Sequence, residues 1–423
     1  MKLCVIGLGY IGLPTAIMFA RNNVHVHGVD INTDLIEKLS SGEVHIEEPG
    51  LQDFLIDAIE SQRISFGVLP KEADTFIISV PTPIKNDKSA NLDFVINAVN
   101  SIVPYIKKGN LIILESTVPP RTTTDILVPI LKKTGLNVET ELYVAHSPER
   151  VIPGKLLHEL VHNDRIAGGI NIESSKKTEE LYKRFVKGEI HLTDSTTAEM
   201  TKCMENTYRD INIAIANELT MICNELEINV YEVIGMANKH PRVNIHSPGP
   251  GVGGHCLAVD PYFIYNKAPE IARIIKLARE TNDNMPKYVA DITKQLLSNM
   301  VNPKITIFGV SYKGDIDDIR ESPSLKVLEI LKDNHFEVHV YDPYIKNEYC
   351  VEFDEAVTGS DLILVLTDHT EFKNLDQKAL ARLMRTPILF DTKNIVPQQN
   401  DSELRVTNFG DFKNAIPTVT GGV

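Results

Sequence analysis

Two doubly wound α/β domains joined by a helical middle are the fold class that this 423-residue sequence predicts. Short, almost unbroken apolar runs alternate with amphipathic stretches at the start of the chain, and the same rhythm returns at its end. Between them lies one long helical pattern free of Pro and Gly. Runs that are apolar on both faces are how parallel strands covered by crossover helices read. At roughly 150 residues per domain, the length allows two to three domains.

Strands are expected at Lys2–Gly7, Val24–Asp30, Thr75–Val80, Leu111–Glu115 and Leu142–Ala145, each bounded by Gly, Pro or polar residues. The middle opens on an uninterrupted helix from about Thr196 to Leu226, with Asp194 or Ser195 as its N-cap. Such a helix suits a domain junction or a subunit interface. More helix is expected up to about Met300, broken by a Gly- and Pro-rich loop at Ser247–Gly254. A second parallel sheet is read at Lys304–Phe308, Glu337–Tyr341, Asp361–Leu366 and Ile388–Phe390. The expected domains are 1–190, 191–301 and 302–423.

Composition is that of a globular protein, 43% hydrophobic and 24% charged. The 43 basic against 57 acidic residues give a formal charge of −14, which would repel a nucleic-acid duplex over most of the surface. A small anionic ligand held by a few local Arg and Lys residues stays compatible with that balance. No apolar run reaches the roughly 18 residues of a membrane-crossing helix, so no membrane partner is expected. The strand-like N-terminus is not read as a leader. Five cysteines, at 4, 203, 223, 256 and 350, form no CxxC pair. That argues against a disulfide framework or a metal site and for a reducing cytoplasm.

The first motif is Gly7-Leu8-Gly9-Tyr10-Ile11-Gly12, directly after the first strand. Gly7 permits the turn, Gly9 lets backbone approach a pyrophosphate, and Gly12 lets helix and strand pack closely. The helix N-terminus offers N–H groups to the phosphates. The second strand ends in Asp30, near where a ribose-binding acid belongs, and a carboxylate there favours NAD over NADP. The fold is therefore expected to be Rossmann-like. Thr82 and Thr117 stand at two further strand ends, where ligands of open α/β sheets lie; plain Thr-Pro turns are the alternative. Glu149 and Arg150 end the next strand on the same rim.

On the long helix, Lys202, Asn206 and Arg209 share one face by their spacings of four and three. Partial burial there would fit Lys202 for proton transfer or oxyanion stabilisation, and a solvated polar stripe is the competing account. The most specific segment is Gly249-Pro250-Gly251-Val252-Gly253-Gly254-His255-Cys256-Leu257-Ala258-Val259-Asp260, with four glycines in six positions. Cys256 is expected where this loop runs into a helix, whose free N–H groups would favour a thiolate. Asp260, four residues on, would hold a water or the thiol's proton. In the last domain, Ser311–Pro323 takes the place of a glycine-rich nucleotide turn, and its Lys313 and Arg320 either reach toward phosphates or belong to a solvated loop.

Together these segments resemble the UDP-glucose/GDP-mannose dehydrogenase family over nearly the whole chain. Pro148–Lys155, Glu205–Asp210 and His240–Asn244 are similar to its branch acting on UDP-N-acetyl-D-mannosamine. Val259 stands before Asp260 where the UDP-glucose enzymes carry Lys, and His255 precedes the cysteine, which disfavours UDP-glucose. The resemblance implies oxidation of the sugar C6 hydroxyl to a carboxylate in two steps, with two NAD⁺ used in turn, in bacterial surface-polysaccharide (capsule) synthesis. The gluco epimer of the N-acetylhexosamine stays open as substrate. Cys256 would form a thiohemiacetal and then a thioester, Lys202 and Asn206 would stabilise the oxyanion, and Asp260 or Glu149 would handle water. Arg150, Val151, Arg209, His240, Arg242, Gly253, Tyr312 and Lys313, together with Lys202 and Asn206, match substrate positions. Tyr10, Ile11, Asp30, Thr82, Thr117 and Arg320 match NAD positions. A homodimer or dimer-based oligomer built on the long helix is implied, with Arg242 reaching a neighbouring subunit.

Overall fold

The computed structural model describes residues 1–152 and 154–415, so Pro153 of the Pro148–Lys155 segment and the end of the expected 302–423 domain lie outside the described residues. The chain forms two compact units, Met1–Glu205 with Tyr262–Pro269, and Asn206–Pro261 with Glu270–Val423.

The first unit carries strands β1 (Lys2–Ile6), β2 (His25–Val29), β3 (Ile64–Gly67), β4 (Thr75–Ile78), β5 (Leu111–Leu114), β6 (Tyr143–His146), β7 (Arg165–Gly169) and β8 (Ile190–Asp194). They form one sheet in the order β3-β2-β1-β4-β5-β6-β7-β8. Strand order reverses at β1, between β2 and β4, which opens a crevice at the carboxyl ends of β1 and β4. Period-two alternation covers both faces: Leu3 and Val5 of β1 join Leu13 and Ile17 of the following helix on one side. Cys4 and Ile6 join Phe76 and Ile78 on the other.

Strands β3, β7 and β8 carry no apolar run, and reading the sequence missed them. The outer strand β8 is mostly exposed, so nothing selects apolar residues along it. β7 holds Arg165 and two glycines and pairs antiparallel to β6, a departure from the all-parallel expectation.

Asp194 opens the long helix, Ser195–Glu225, accepting from the Thr197 N–H at 3.0 Å. The helix ends without glycine: Glu227 takes a left-handed φ of 58°, and the Ile228 N–H returns to the Cys223 carbonyl at 3.0 Å.

The second unit holds β9 (Lys304–Phe308), β10 (Glu337–Tyr341), β11 (Leu362–Val365), β12 (Ile388–Asp391) and β13 (Arg405–Asn408), paired in parallel in the order β10-β9-β11-β12-β13. This is the other doubly wound order, with its reversal at β9. The helix Arg273–Leu296 lays Met285, Val289, Ile292 and Leu296 in one core with Ile305 and Ile307, while Phe308 and Ile363 serve the opposite face.

Candidate active site

In the first unit the glycine turn joins β1 to the helix Gly12–Arg21. Gly7 has φ +91°, and a Cβ on it would lie 2.4 Å from the Ser79 carbonyl oxygen. A Cβ on Gly12 would lie 1.9 Å from the Gly7 oxygen. Packing alone therefore demands both glycines. Gly9 differs, because a Cβ there would meet nothing within 4 Å. The fold leaves that space open, as close approach of a ligand to the backbone requires. Ile11 precedes the helix without a side-chain cap, and no acid stands in the first turn, so no side chain of the turn competes with an anion for the helix N-terminus. Asp30 lies against this turn, accepting from the Leu8 N–H at 2.9 Å and the Asn32 N–H at 3.0 Å. The Tyr10 hydroxyl donates to Glu48 at 3.5 Å. Thr82 and Thr117 are brought together: the Thr82 hydroxyl donates to the Thr117 carbonyl at 2.6 Å.

Beyond β5, β6 and β7 lies a buried ionic cluster. The Arg165 guanidinium sits between Glu115, at 2.6 Å, and Glu149, with the Tyr182 ring 3.6 Å from its centre. The Tyr182 hydroxyl donates to Glu115 Oε1 at 2.9 Å. Burial pushes the Glu115 carboxyl up to about 7 against the pull of Arg165. Burial opposes the Arg165 charge, but the two carboxylates outweigh it and raise its pKa. His146, wholly buried, is pushed down to about 3 by desolvation and is neutral at pH 7. Arg150 pairs with Glu205 at 2.5 Å, and half-buried Val151 packs on the core. Half-buried Lys202 follows Glu199 by three residues. Glu199 is buried and accepts from the Arg121 N–H at 2.6 Å and from the Thr123 N–H and hydroxyl at 2.7 Å. Its carboxyl is raised to about 7 by burial.

In the second unit Asn206 and Asp260 are both buried, and Asn206 Nδ2 donates to Asp260 Oδ2 at 2.6 Å. Cys256 is exposed, and its carbonyl accepts from the N–H groups of Val259 at 3.0 Å and Asp260 at 2.8 Å. A hydrogen-bonded turn thus separates it from the helix, which begins only at Asp260 and is six residues long. The expected helix N-terminus at Cys256 is corrected accordingly: the helix starts four residues on, after a single turn closed on the Cys256 carbonyl.

The loop glycines admit the protein's own backbone. A Cβ on Gly253 would lie 2.7 Å from both the Glu321 oxygen and Tyr312 Cβ. One on Gly254, at φ +80°, would lie 2.9 Å from the Tyr312 ring. The Gly254 N–H donates to the Arg320 carbonyl at 3.0 Å. Burial, Asp318 and Cys256 together raise the Tyr312 pKa. The Arg320 guanidinium is held by Asp318 at 2.7 Å, and Lys313 is exposed.

Comparison with known proteins finds the chain matched in three stretches. Residues 1–186 match the UDP-glucose/GDP-mannose dehydrogenase family, NAD binding domain; residues 196–284 match its central domain; and residues 306–398 match its UDP binding domain. The chain belongs to the UDP-glucose/GDP-mannose dehydrogenase family. It is an NAD-dependent UDP-sugar dehydrogenase with two Rossmann-like domains and a helical middle, and its cofactor is NAD. It is similar to the UDP-N-acetyl-D-mannosamine dehydrogenase of Methanococcus maripaludis, 50% identical over 409 residues and covering 93% of each chain. That of Methanocaldococcus jannaschii is 46% identical over 98% of this chain and 97% of its own. The solved structure of the UDP-N-acetyl-mannosamine dehydrogenase Cap5O from Staphylococcus aureus is 49% identical, with a TM-score of 0.90, covering 99% of this chain and all of that one.

In this dehydrogenase the glycine turn, Asp30, Thr82 and Thr117 gather at the carboxyl ends of adjacent strands, and Cys256, Gly253, Tyr312 and Arg320 gather around one loop. Arg209, His240 and Arg242 are exposed and make no such cluster; the Arg242 N–H donates to His240 Nδ1 at 3.3 Å. Reading the sequence missed Arg165, Tyr182 and Glu199. The available signal for Arg165 was a charged residue set directly before the small and apolar stretch Ile166-Ala167-Gly168-Gly169. It also missed Asn217, which accepts from the Gly249 N–H at 2.9 Å and so ties the glycine loop to the long helix.

Proposed function

We propose that this enzyme oxidises the C6 hydroxyl of UDP-N-acetyl-D-mannosamine to the carboxylate, giving UDP-N-acetyl-D-mannosaminuronate. The observation that carries the reading is the Cys256 turn. Of the five cysteines only this one is exposed. Burial pushes the thiols of Cys4 and Cys350 up to about 11, Cys203 donates to the Val118 carbonyl at 3.3 Å, and Cys223 is buried. An exposed thiol on a tight turn suits capture of an aldehyde.

NAD, when bound, would take up the hydride lost from the substrate carbon in each of two rounds, while Lys202 shuttles the hydroxyl proton. Lys202 and Asn206 stabilise the C6 oxyanion. Cys256 sulfur adds to the aldehyde carbon as a thiohemiacetal, which the second oxidation converts to a thioester. Water then adds to the carbonyl, the C–S bond breaks, and the acid leaves. Either Asp260, held by Asn206, or Glu149, held by Arg165, handles this water. The open space at Gly9 suits the NAD pyrophosphate, and Asp30 suits the ribose, with Tyr10, Ile11, Thr82, Thr117 and Arg320 completing the cofactor set. Arg150, Val151, Arg209, His240, Arg242, Gly253, Tyr312 and Lys313 hold the nucleotide sugar. The domain division at 190 and 301, a cytoplasmic location and a role in surface-polysaccharide synthesis belong to the same reading.

A homodimer is part of it too. Tyr208, Ile215 and Ile222 repeat every seven residues along one face of the long helix and are exposed, as an unpaired helix face requires. No helix among the described residues is long and apolar enough to cross a membrane.

Parallel turnover assays with UDP-N-acetyl-D-mannosamine, its gluco epimer and UDP-glucose test the reading. Two NADH per sugar with the manno epimer preferred is expected. One NADH per sugar, or preference for another substrate, overturns it.

A further inference from the structure

The buried cluster around Arg165 does more than neutralise charge. Arg165 is 3% exposed and joins two carboxylates of unlike setting: Glu115, fully buried at the end of β5, and Glu149, at the rim beyond β6. Glu115 Oε1 takes the Arg165 guanidinium at 2.6 Å, the Tyr182 hydroxyl at 2.9 Å and the Thr15 hydroxyl at 3.5 Å. Its Oε2 is buried with no hydrogen-bond partner. The guanidinium is fixed on its other sides by Ser147, whose Oγ lies 3.0 Å from Nε, and by the Tyr182 ring. It cannot leave, but its charge is divided between two competitors.

We infer that Glu115 is a positioning residue that competes with Glu149 for Arg165, and so decides whether Glu149 is tied down or available to the hydrolytic water. With Glu115 ionised, Arg165 is shared and Glu149 is released. With Glu115 protonated, Arg165 belongs to Glu149 alone. In the released state Glu149 takes a proton from water as its oxygen bonds to the thioester carbon, and the C–S bond breaks to return the Cys256 thiolate. The group that switches is placed for it, because burial holds the Glu115 carboxyl near neutrality while Arg165 and Tyr182 pull it down and Glu149 pushes it up. His146, kept neutral by burial and by the charges of Lys202 and Arg165, adds no competing titration there.

The inference rests on the proposed two-step oxidation, and the pH dependence of steady-state turnover tests it. Wild type should show kcat rising in a step near pH 7. Glu115→Gln keeps the shape but stays neutral: the step should vanish, and kcat above it should fall by about tenfold or more. KM for both substrates should stay within about twofold. Tyr182→Phe removes a hydrogen bond to the charged form, so the step should move to higher pH, and this variant decides the matter if Glu115→Gln fails to fold. A step unmoved in both variants, or a loss seen mainly in KM, overturns the inference while leaving the two-step reaction intact. Wild type that yields one NADH per sugar overturns both.

Discussion

Gly9 and Gly12 belong to one motif, yet alanine at each should fail for a different reason. At Gly12 the new Cβ would stand 1.9 Å from the Gly7 carbonyl oxygen, a backbone atom held by the φ of +91° at Gly7. It can be accommodated only by parting the helix from the strand, at about 1–3 kcal/mol for overpacking of this kind. For a unit of this size each kcal/mol moves the melting temperature by roughly 2–4 °C, so a fall of several degrees is expected without cofactor. At Gly9 the new Cβ meets nothing within 4 Å, and the residue is not among those with positive φ. Gly9→Ala should therefore melt at or slightly above wild type, since the loss of glycine freedom in the unfolded chain stabilises by about 0.4–1 kcal/mol. Its defect should appear in NADH affinity, through the methyl group standing where the pyrophosphate must approach. A hundredfold rise in Kd, about 2.7 kcal/mol, is expected. Scanning calorimetry of the apo proteins and titration calorimetry with NADH separate the two effects. Gly9→Ala binding NADH within twofold of wild type, or Gly12→Ala melting with wild type, would refute the reasoning.

Further expectations follow from burial and exposure. Iodoacetamide at pH 7.5 should label Cys256 first, because Cys4 and Cys350 are held near 11; peptide mapping that finds another cysteine modified earlier counts against this. Cys256→Ser should abolish overall turnover while NADH binding, measured by calorimetry, survives. Glu199 has its carboxyl raised to about 7 in the folded state, so its stabilisation is fully present below the unfolded value near 4.5 and lost as pH rises through 7. Urea titrations from pH 4.5 to 8 should show the stability difference between wild type and Glu199→Gln shifting by on the order of 2–3 kcal/mol against wild type; a constant difference would contradict the assignment. Ile215→Glu with Ile222→Glu should turn a dimer into monomer in sedimentation experiments, and an unchanged mass would remove the long helix as the interface.

The elements legible in the sequence are those whose physics is local. The turn from β1 into its helix needs glycines at fixed offsets, and the Ser195–Glu225 helix needs only the absence of breakers. Cys256 stood out by its glycine neighbours. The outer strands escaped because exposure relaxes the choice of residue, and β7 escaped because Arg165 and its glycines are chosen for partners elsewhere in the sheet.

By itself the sequence determined two doubly wound sheets, a long helix and an NAD-binding turn, because periodicity and glycine placement act between near neighbours. Tertiary structure alone decided that Glu115, Glu149 and Arg165 meet, and that Asn206 holds Asp260. Their separations along the chain are 50, 16 and 54 residues, far beyond any local pattern. Strand order sets which ends lie side by side, and a buried charge then stays only where a partner satisfies it.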